Sequence, residues 1–126
     1  MKHELNEITV QGHVGAPTVR LSREGPVFAS VPVRICELPR TDVTVTGIGL
    51  EAAGIACLRR GNILRAEGRL ALDPATGEVY VQATSVARMV LEGFDMRAVA
   101  PSVEELDRLA ALIDTPADAP VTAPAV

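Results

Sequence analysis

Aromatic residues are scarce in this sequence, at 2% of its 126 residues. Tryptophan is absent, and the three aromatic side chains are Phe28, Tyr80 and Phe94. Hydrophobic residues still make up 48% of the chain, so the core must be built from valine, alanine, leucine and isoleucine. The scarcity also limits base stacking, because proteins that bind single-stranded nucleic acid stack successive bases on aromatic rings.

Cysteine and histidine are also rare. Cys36 and Cys57 are too few for a disulfide framework, and neither has a histidine at metal-ligand spacing. His3 and His13 lie outside any catalytic constellation, and the sequence has no phosphate-binding loop or nucleophile motif. We therefore expect no enzyme, no cofactor and no metal site.

Long apolar runs are missing as well. No stretch reaches the roughly 18 apolar residues that a membrane span needs. The opening MKHELNEITV has no apolar signal core. These two observations predict a cytoplasmic protein with no membrane partner.

The formal net charge of −4 is unevenly placed along the chain. Residues 1–100 hold eleven basic and eleven acidic residues, whereas residues 101–126 hold one and five. A neutral main domain exerts no long-range attraction on DNA, although a local arginine surface can still contact phosphates. All but one of the basic residues are arginines, which suit phosphate contacts, although GC-rich coding produces the same composition.

Alternating apolar and polar residues predict an all-β fold. The expected strands cover residues 6–14, 27–36, 42–47, 62–72 and 78–91. Gly12 marks a bend or bulge in the first of them. Helical spacing over residues 50–60 places a short helix between the third and fourth strands, with Arg59 and Arg60 at its end. This order predicts a five-stranded Greek-key barrel.

The main domain is predicted to cover residues 1–100, and a C-terminal helix residues 101–114. Ser102 and Glu105 have the spacing of a capping box at its start. Apolar residues follow at helical spacing, so the helix is amphipathic and must pack on the barrel or on another chain. They are Val103, Leu106, Leu109, Ala110 and Ile113. Residues 115–126 are rich in proline and alanine and are predicted to be disordered.

Three stretches of the sequence resemble the bacterial single-stranded DNA-binding protein family, whose fold is the OB-fold. The resemblance covers residues 6–91. It implies an OB-fold homo-oligomer, a dimer or a tetramer, that binds single-stranded DNA in a groove across the barrel. The stretches are NEITVQGHVGAPTVRL, GPVFASVPVRICE and VTVTGIGLEAAGIACLRRGNILRAEGRL.

The sequence departs from the family pattern where that pattern supplies stacking rings and charge. The family's third-strand aromatics fall at Arg40 and Thr46. Residues 71–75 lack the family's basic run and aromatic, and residues 37–41 replace its long hairpin. The acidic C-terminal tip, which recruits replication and repair proteins in the family, is also absent. The resemblance therefore implies a divergent member whose binding is weak and sensitive to salt.

Six residues are candidates for nucleic-acid contact: Arg20, Phe28, Arg34, Arg40, Arg65 and Arg69. Phe28 is the expected stacking residue, although the same outward position suits an oligomer interface. Arg65 and Arg69 alternate with apolar residues, but Glu67 lies between them, so a solvated, charge-paired face is an equal alternative. We interpret Tyr80 as a cross-strand packing residue.

A second function is consistent with the same sequence. The chain would then be an accessory protein of replication, recombination or conjugation that has kept the OB-fold and lost the surface that binds DNA. Its partner, another replication or DNA-processing protein, would dock on the amphipathic helix at residues 102–114.

Overall fold

The computed structural model describes residues 5–22, 25–112 and 120–122. In this part of the chain eight strands and two helices follow one another. They are β1 (Ile8–Val14), β2 (Thr18–Ser22), β3 (Gly25–Glu37), β4 (Arg40–Ile48), α1 (Leu50–Ala56), β5 (Ile63–Leu72), β6 (Val79–Glu92), β7 (Asp95–Val99), α2 (Val103–Leu112) and β8 (Pro120–Thr122).

Five of these strands close into a barrel. The pairing runs β1–β5–β6–β4–β3, and β3 returns to β1 through His13↔Arg34 and Val14↔Val33. β4 and β6 pair in parallel, while the other barrel pairs are antiparallel. This order, with α1 between the third and fourth barrel strands, is the connectivity of an OB-fold. The predicted five-stranded barrel and its short helix are confirmed.

The core is aliphatic and follows the predicted alternation along the strands. Val10 and Val31 are buried inside the barrel. Strict alternation with Val31 along the predicted strand 27–36 would turn Val27 and Ile35 inward as well, but they are 43% and 44% exposed. Each sits at a register shift, opposite β2 for Val27 and opposite β4 for Ile35, so each is the extra residue of a β-bulge.

Helix α1 is shorter than the predicted span of residues 50–60. It ends at Ala56, and Arg59 and Arg60 lie in the turn that follows. The side chain of Asn62 accepts a hydrogen bond from the Arg59 N–H at 2.8 Å, and the Asn62 N–H donates to the Arg59 carbonyl at 2.9 Å. This local bonding turns the chain into β5, so the two arginines do not serve as helix-end charges.

A hairpin between β6 and β7 was not predicted. The chain reverses at Gly93, whose φ of +65° suits glycine, and Asp95–Val99 then pairs with the end of β6. Further along, β8 pairs with β2 inside the segment predicted to be disordered. The other residues of that predicted tail lie outside the described residues.

The predicted C-terminal helix is present as α2, and its capping box forms. The Ser102 N–H donates to Glu105 Oε1 at 3.0 Å, and the Glu105 N–H donates to Ser102 Oγ at 3.1 Å. Glu105 and Leu109 face the barrel and are buried, whereas Val103 and Leu106 of the predicted stripe are exposed. Arg88 Nη1 donates to both Glu105 carboxylate oxygens at 2.7 Å. Ion pairing therefore orients α2, and residues 113–114 lie outside the described part.

Glu105 predicts how stability responds to acid. Burial raises the pKa of the Glu105 carboxyl, but hydrogen bonds from Ser102 and Arg88, together with the Arg88 charge, outweigh burial and lower it below its usual value. A carboxyl whose pKa is lower in the folded state stabilises the fold above its unfolded pKa. This stability is lost as the pH falls through the folded value. Thermal unfolding should therefore show a steeper loss of stability below about pH 4 for the wild type than for Glu105→Gln. Equal slopes would contradict this role.

Candidate nucleic-acid interface

A polar row crosses the outer face of the barrel. It arises because strand partners in register point to the same side of a sheet. Thr18 pairs with Ser30, Ser30 with Thr46, Thr46 with Gln82, and Gln82 with Arg69. The row thus spans β2, β3, β4, β6 and β5 and offers hydroxyl, amide and guanidinium groups.

The middle of the row, Ser30, Thr46 and Gln82, forms the floor of a groove of about 470 Å³. Phe28 and Tyr80 contribute aromatic rings to its walls, and Asp73 and Glu78 contribute carboxylates from the loop between β5 and β6. Among the described residues, no basic side chain lines this groove. Its lining residues are Phe28, Ser30, Thr44, Thr46, Gly47, Ile48, Asp73, Pro74, Glu78, Val79, Tyr80 and Gln82.

The two aromatic residues are accessible. Phe28 is 37% exposed and stands between Arg20 on β2 and Ile48 on β4. Tyr80 is half-buried and pairs with Ala71 on β5. Tyr80, which the sequence suggests as a cross-strand packing residue, also lines the groove, and it shares the outward side of β6 with Gln82, two residues further on. That alternation was the available signal.

Arg20 and Arg69 flank the groove. Arg20 is the strand partner of Phe28, and Arg69 is the strand partner of Gln82. Both side chains are exposed, and no carboxylate in the described part of the chain forms an ion pair with them. Their guanidinium groups are therefore available to an anion at the edge of the groove.

Arg34 and Arg40 lie in a second groove of about 560 Å³, which Arg60 also lines. Arg34 forms ion pairs with Asp42 at 3.8 Å and with Glu37 at 3.6 Å, and Arg40 forms one with Asp42 at 3.3 Å. Acidic neighbours thus partly neutralise both predicted contacts. The cross-strand pairing Arg34↔Asp42 creates this cluster, and reading either strand alone does not reveal it.

Arg65 is separated from the first groove although it shares the outward side of β5 with Arg69. Four residues of strand place their Cα atoms about 13 Å apart. The Arg65 Nε donates to Gln11 Oε1 of β1 at 2.9 Å. Glu67 forms no ion pair with either arginine among the described residues, and all three side chains are exposed, as on a solvated face. The six predicted residues therefore occupy three places rather than one surface.

Metal-binding clusters and membrane-spanning helices are both missing from the described ranges of the chain. No group of three or more histidine, cysteine or acidic side chains there is placed to hold a metal ion. No helix there is long and apolar enough to cross a membrane. Cys57 is buried, and burial raises the pKa of its thiol, so it is protonated at neutral pH.

Solved structures of other proteins share this fold. The single-stranded DNA-binding protein of Thermus aquaticus matches with a TM-score of 0.61 over 73% of this chain, at 21% identity. The fold is that of the bacterial single-stranded DNA-binding proteins. The OB-fold chain spans 45% of the Thermus aquaticus protein.

Other solved structures share this OB-fold. The second single-stranded DNA-binding protein (SSBb) of Mycobacterium smegmatis is 25% identical, with a TM-score of 0.55 over 66% of this chain and 87% of that one. The N-terminal domain of PriB from Thermoanaerobacter tencongensis, a dimeric structure, has a TM-score of 0.51 at 18% identity over 71% of this chain and 100% of that one. No family model and no curated protein matches the sequence.

Proposed function

We propose that this OB-fold binds single-stranded DNA weakly, across the groove that contains Phe28 and Tyr80. The observation that carries the proposal is the placement of two accessible aromatic rings beside a polar floor, with Arg20 and Arg69 at its edges. Aromatic rings stack bases of any sequence, and flanking arginines contact phosphates. The groove thus combines the two kinds of contact that single-strand binding uses.

The position of each group determines which part of the DNA it contacts. Bases stack on Phe28 and Tyr80 with about 1–3 kcal/mol each. Arg20 and Arg69 meet the phosphates that run along the groove edge, and the hydroxyl groups of Ser30 and Thr44 are available to the base edges.

Weak binding follows from the charges in and around the groove. Asp73 and Glu78 line it and repel phosphates, and no basic residue among the described ones lines it. Arg34 and Arg40 are already engaged with Asp42, so they offer less positive charge to DNA. Binding therefore depends on two stacking rings and two flanking arginines, and it should weaken as salt screens the phosphate contacts.

Titration of a labelled oligo-dT at low salt and again near physiological salt tests this proposal. Each arginine that contacts a phosphate contributes about 0.7 to the slope of log K against log salt concentration. Arg69→Gln should therefore flatten the slope by about 0.7 and weaken binding at low salt. Arg65→Gln is the matched variant, since Arg65 lies on the same strand and is held by Gln11.

The two variants distinguish DNA binding at the groove edge from DNA binding over the whole arginine-lined face. Equal effects of Arg65→Gln and Arg69→Gln would overturn the assignment to the groove edge and favour the whole arginine-lined face. Tight binding that survives physiological salt would contradict the weak, salt-sensitive mode. An unchanged thermal unfolding midpoint in both variants is the control, because both side chains are exposed.

We also propose that the chain acts as a homo-oligomer, a dimer or a tetramer. Two observations support this proposal: the PriB domain that shares the fold is dimeric, and several large apolar side chains of the described residues are exposed to solvent. They include Leu5, Leu38 and Leu50. Light scattering should give a multiple of the 13.3 kDa chain mass.

An accessory role without DNA binding is the second candidate. Two observations favour it: the carboxylates in the groove, and the exposed side of α2. Val103 and Leu106 are 73% and 50% exposed there, beside the acidic Glu104 and Asp107. Such a helix face suits a replication or DNA-processing partner with a basic, apolar groove. Absence of oligo-dT binding even at low salt would select this candidate over the first.

A further inference from the structure

We propose that Asp73 and Glu78 make the groove selective for bases that carry an exocyclic amino group, so that cytosine is preferred to thymine. The inference rests on the proposed function, since it names the base that the same groove prefers. The starting observation is chemical. The groove that stacks bases is lined by two carboxylates, and no cation lines it among the described residues.

The loop that carries both carboxylates is held by its own hydrogen bonds. The Asp73 N–H donates to the Glu78 carbonyl at 2.8 Å, and the Gly77 N–H donates to the Asp73 carbonyl at 2.7 Å. The Ala75 N–H donates to Asp73 Oδ1 at 2.9 Å, and the Glu78 N–H donates to Thr76 Oγ1 at 3.2 Å. These bonds hold the Asp73 carboxylate and the backbone of Glu78 in place at the ends of β5 and β6. Fixed acceptors are what selective hydrogen bonding requires.

A carboxylate accepts hydrogen bonds and donates none. Cytosine presents an N4 amino group, which Asp and Glu accept in base recognition, whereas thymine presents the O4 acceptor at the same position. A ring stacked on Phe28 or Tyr80 turns its edge toward the groove wall. There an amino group gains a charge-assisted hydrogen bond, and a carbonyl oxygen meets like charge.

The other polar groups of the groove do not make this distinction. The Thr46 hydroxyl already donates to the Val81 carbonyl at 3.3 Å, so it offers a base only a neutral acceptor, which is weaker than a carboxylate. Ser30 and Thr44 carry hydroxyls that both donate and accept, and the Gln82 amide does the same. Each of them suits an amino group or a carbonyl oxygen equally. Selectivity between the two pyrimidines therefore depends on Asp73 and Glu78.

Competition between oligo-dC and oligo-dT of the same length tests the inference. The two bases share the same six-membered ring, and the additional C5 methyl group of thymine favours stacking of oligo-dT, so a preference for oligo-dC must come from the edge chemistry. The wild type should bind oligo-dC about tenfold more tightly. In the double variant Asp73→Asn/Glu78→Gln the amides also donate, so the ratio should fall to about one and oligo-dT should bind more tightly than before. The amide that replaces the Asp73 carboxylate keeps an oxygen that accepts from the Ala75 N–H, so the loop should hold its shape.

Glu67→Gln is the matched control, because Glu67 is an exposed carboxylate on β5 outside the groove. It should leave the ratio of the two affinities unchanged. Equal wild-type affinity for the two oligonucleotides would overturn the selectivity and leave the proposed function in place. Binding of neither one at low salt would instead overturn the proposed function. An equal change of the ratio in Glu67→Gln would also reject the assignment to the groove.

Discussion

The double variant Phe28→Ala/Tyr80→Ala is expected to bind single-stranded DNA at least about thirty-fold more weakly than the wild type. Each stacked base is worth about 1–3 kcal/mol, and every 1.4 kcal/mol is a factor of ten in affinity. The same chain has one other aromatic residue, so no neighbouring ring replaces the two that are lost. Fluorescence anisotropy with a labelled oligonucleotide at low salt measures the effect.

The reference variant is Phe94→Ala, which removes the third aromatic ring of the chain. Phe94 is fully exposed in the turn between β6 and β7 and lies outside the groove. This change should leave affinity at the wild-type value. Wild-type binding by the double variant would show that DNA does not use this groove. Circular dichroism must show that both variants stay folded, which is expected since Phe28 and Tyr80 are partly exposed.

Local alternation was enough to predict the barrel, because each barrel strand has one dry side. Val10, Val31 and Val45 lie at apolar positions of the alternating pattern, and all three are buried. Alternation breaks at Val27 and Ile35, where β-bulges insert an extra residue. A bulge depends on how two strands pair, so a single strand carries little sign of it.

The candidate site was harder to predict than the fold, because it depends on side chains that meet across strands. Phe28 and Tyr80 lie 52 positions apart in the sequence and share one groove only after β3, β4 and β6 have paired. Strand pairing also brings Asp42 to two of the predicted contact residues, Arg34 and Arg40, with which it forms ion pairs. Charge and spacing identify such residues as polar, but pairing decides whether they face DNA or each other.

The C-terminal helix illustrates the same limit. Helical spacing identified α2 and its capping box, but it assigned the buried side to the apolar stripe. The structure buries Glu105 with Leu109 and leaves Leu106 half exposed. A glutamate takes this place because Arg88 of β6 reaches its carboxylate, and this partner lies 17 positions away.

Gly12→Ala is expected to produce the largest loss of stability among the changes considered. A Cβ atom at Gly12 would lie 1.9 Å from the carbonyl oxygen of Arg34 and 2.7 Å from its carbonyl carbon. This contact lies where β1 meets β3 and the barrel closes. A backbone atom cannot rotate away as a side chain does, so the strands must separate or shift. Overpacking of this kind costs about 3 kcal/mol at the upper end of the usual range.

Thermal unfolding measures this loss, which should lower the midpoint of Gly12→Ala by about 10 °C. Thr9→Ala is the matched control, because Thr9 lies on the same strand with its side chain exposed to solvent. A midpoint within two or three degrees of the control would mean that β1 and β3 tolerate separation. The bend that the sequence assigns to Gly12 is thus better described as a close approach of two backbones. The absence of a side chain at Gly12 is what lets the barrel close.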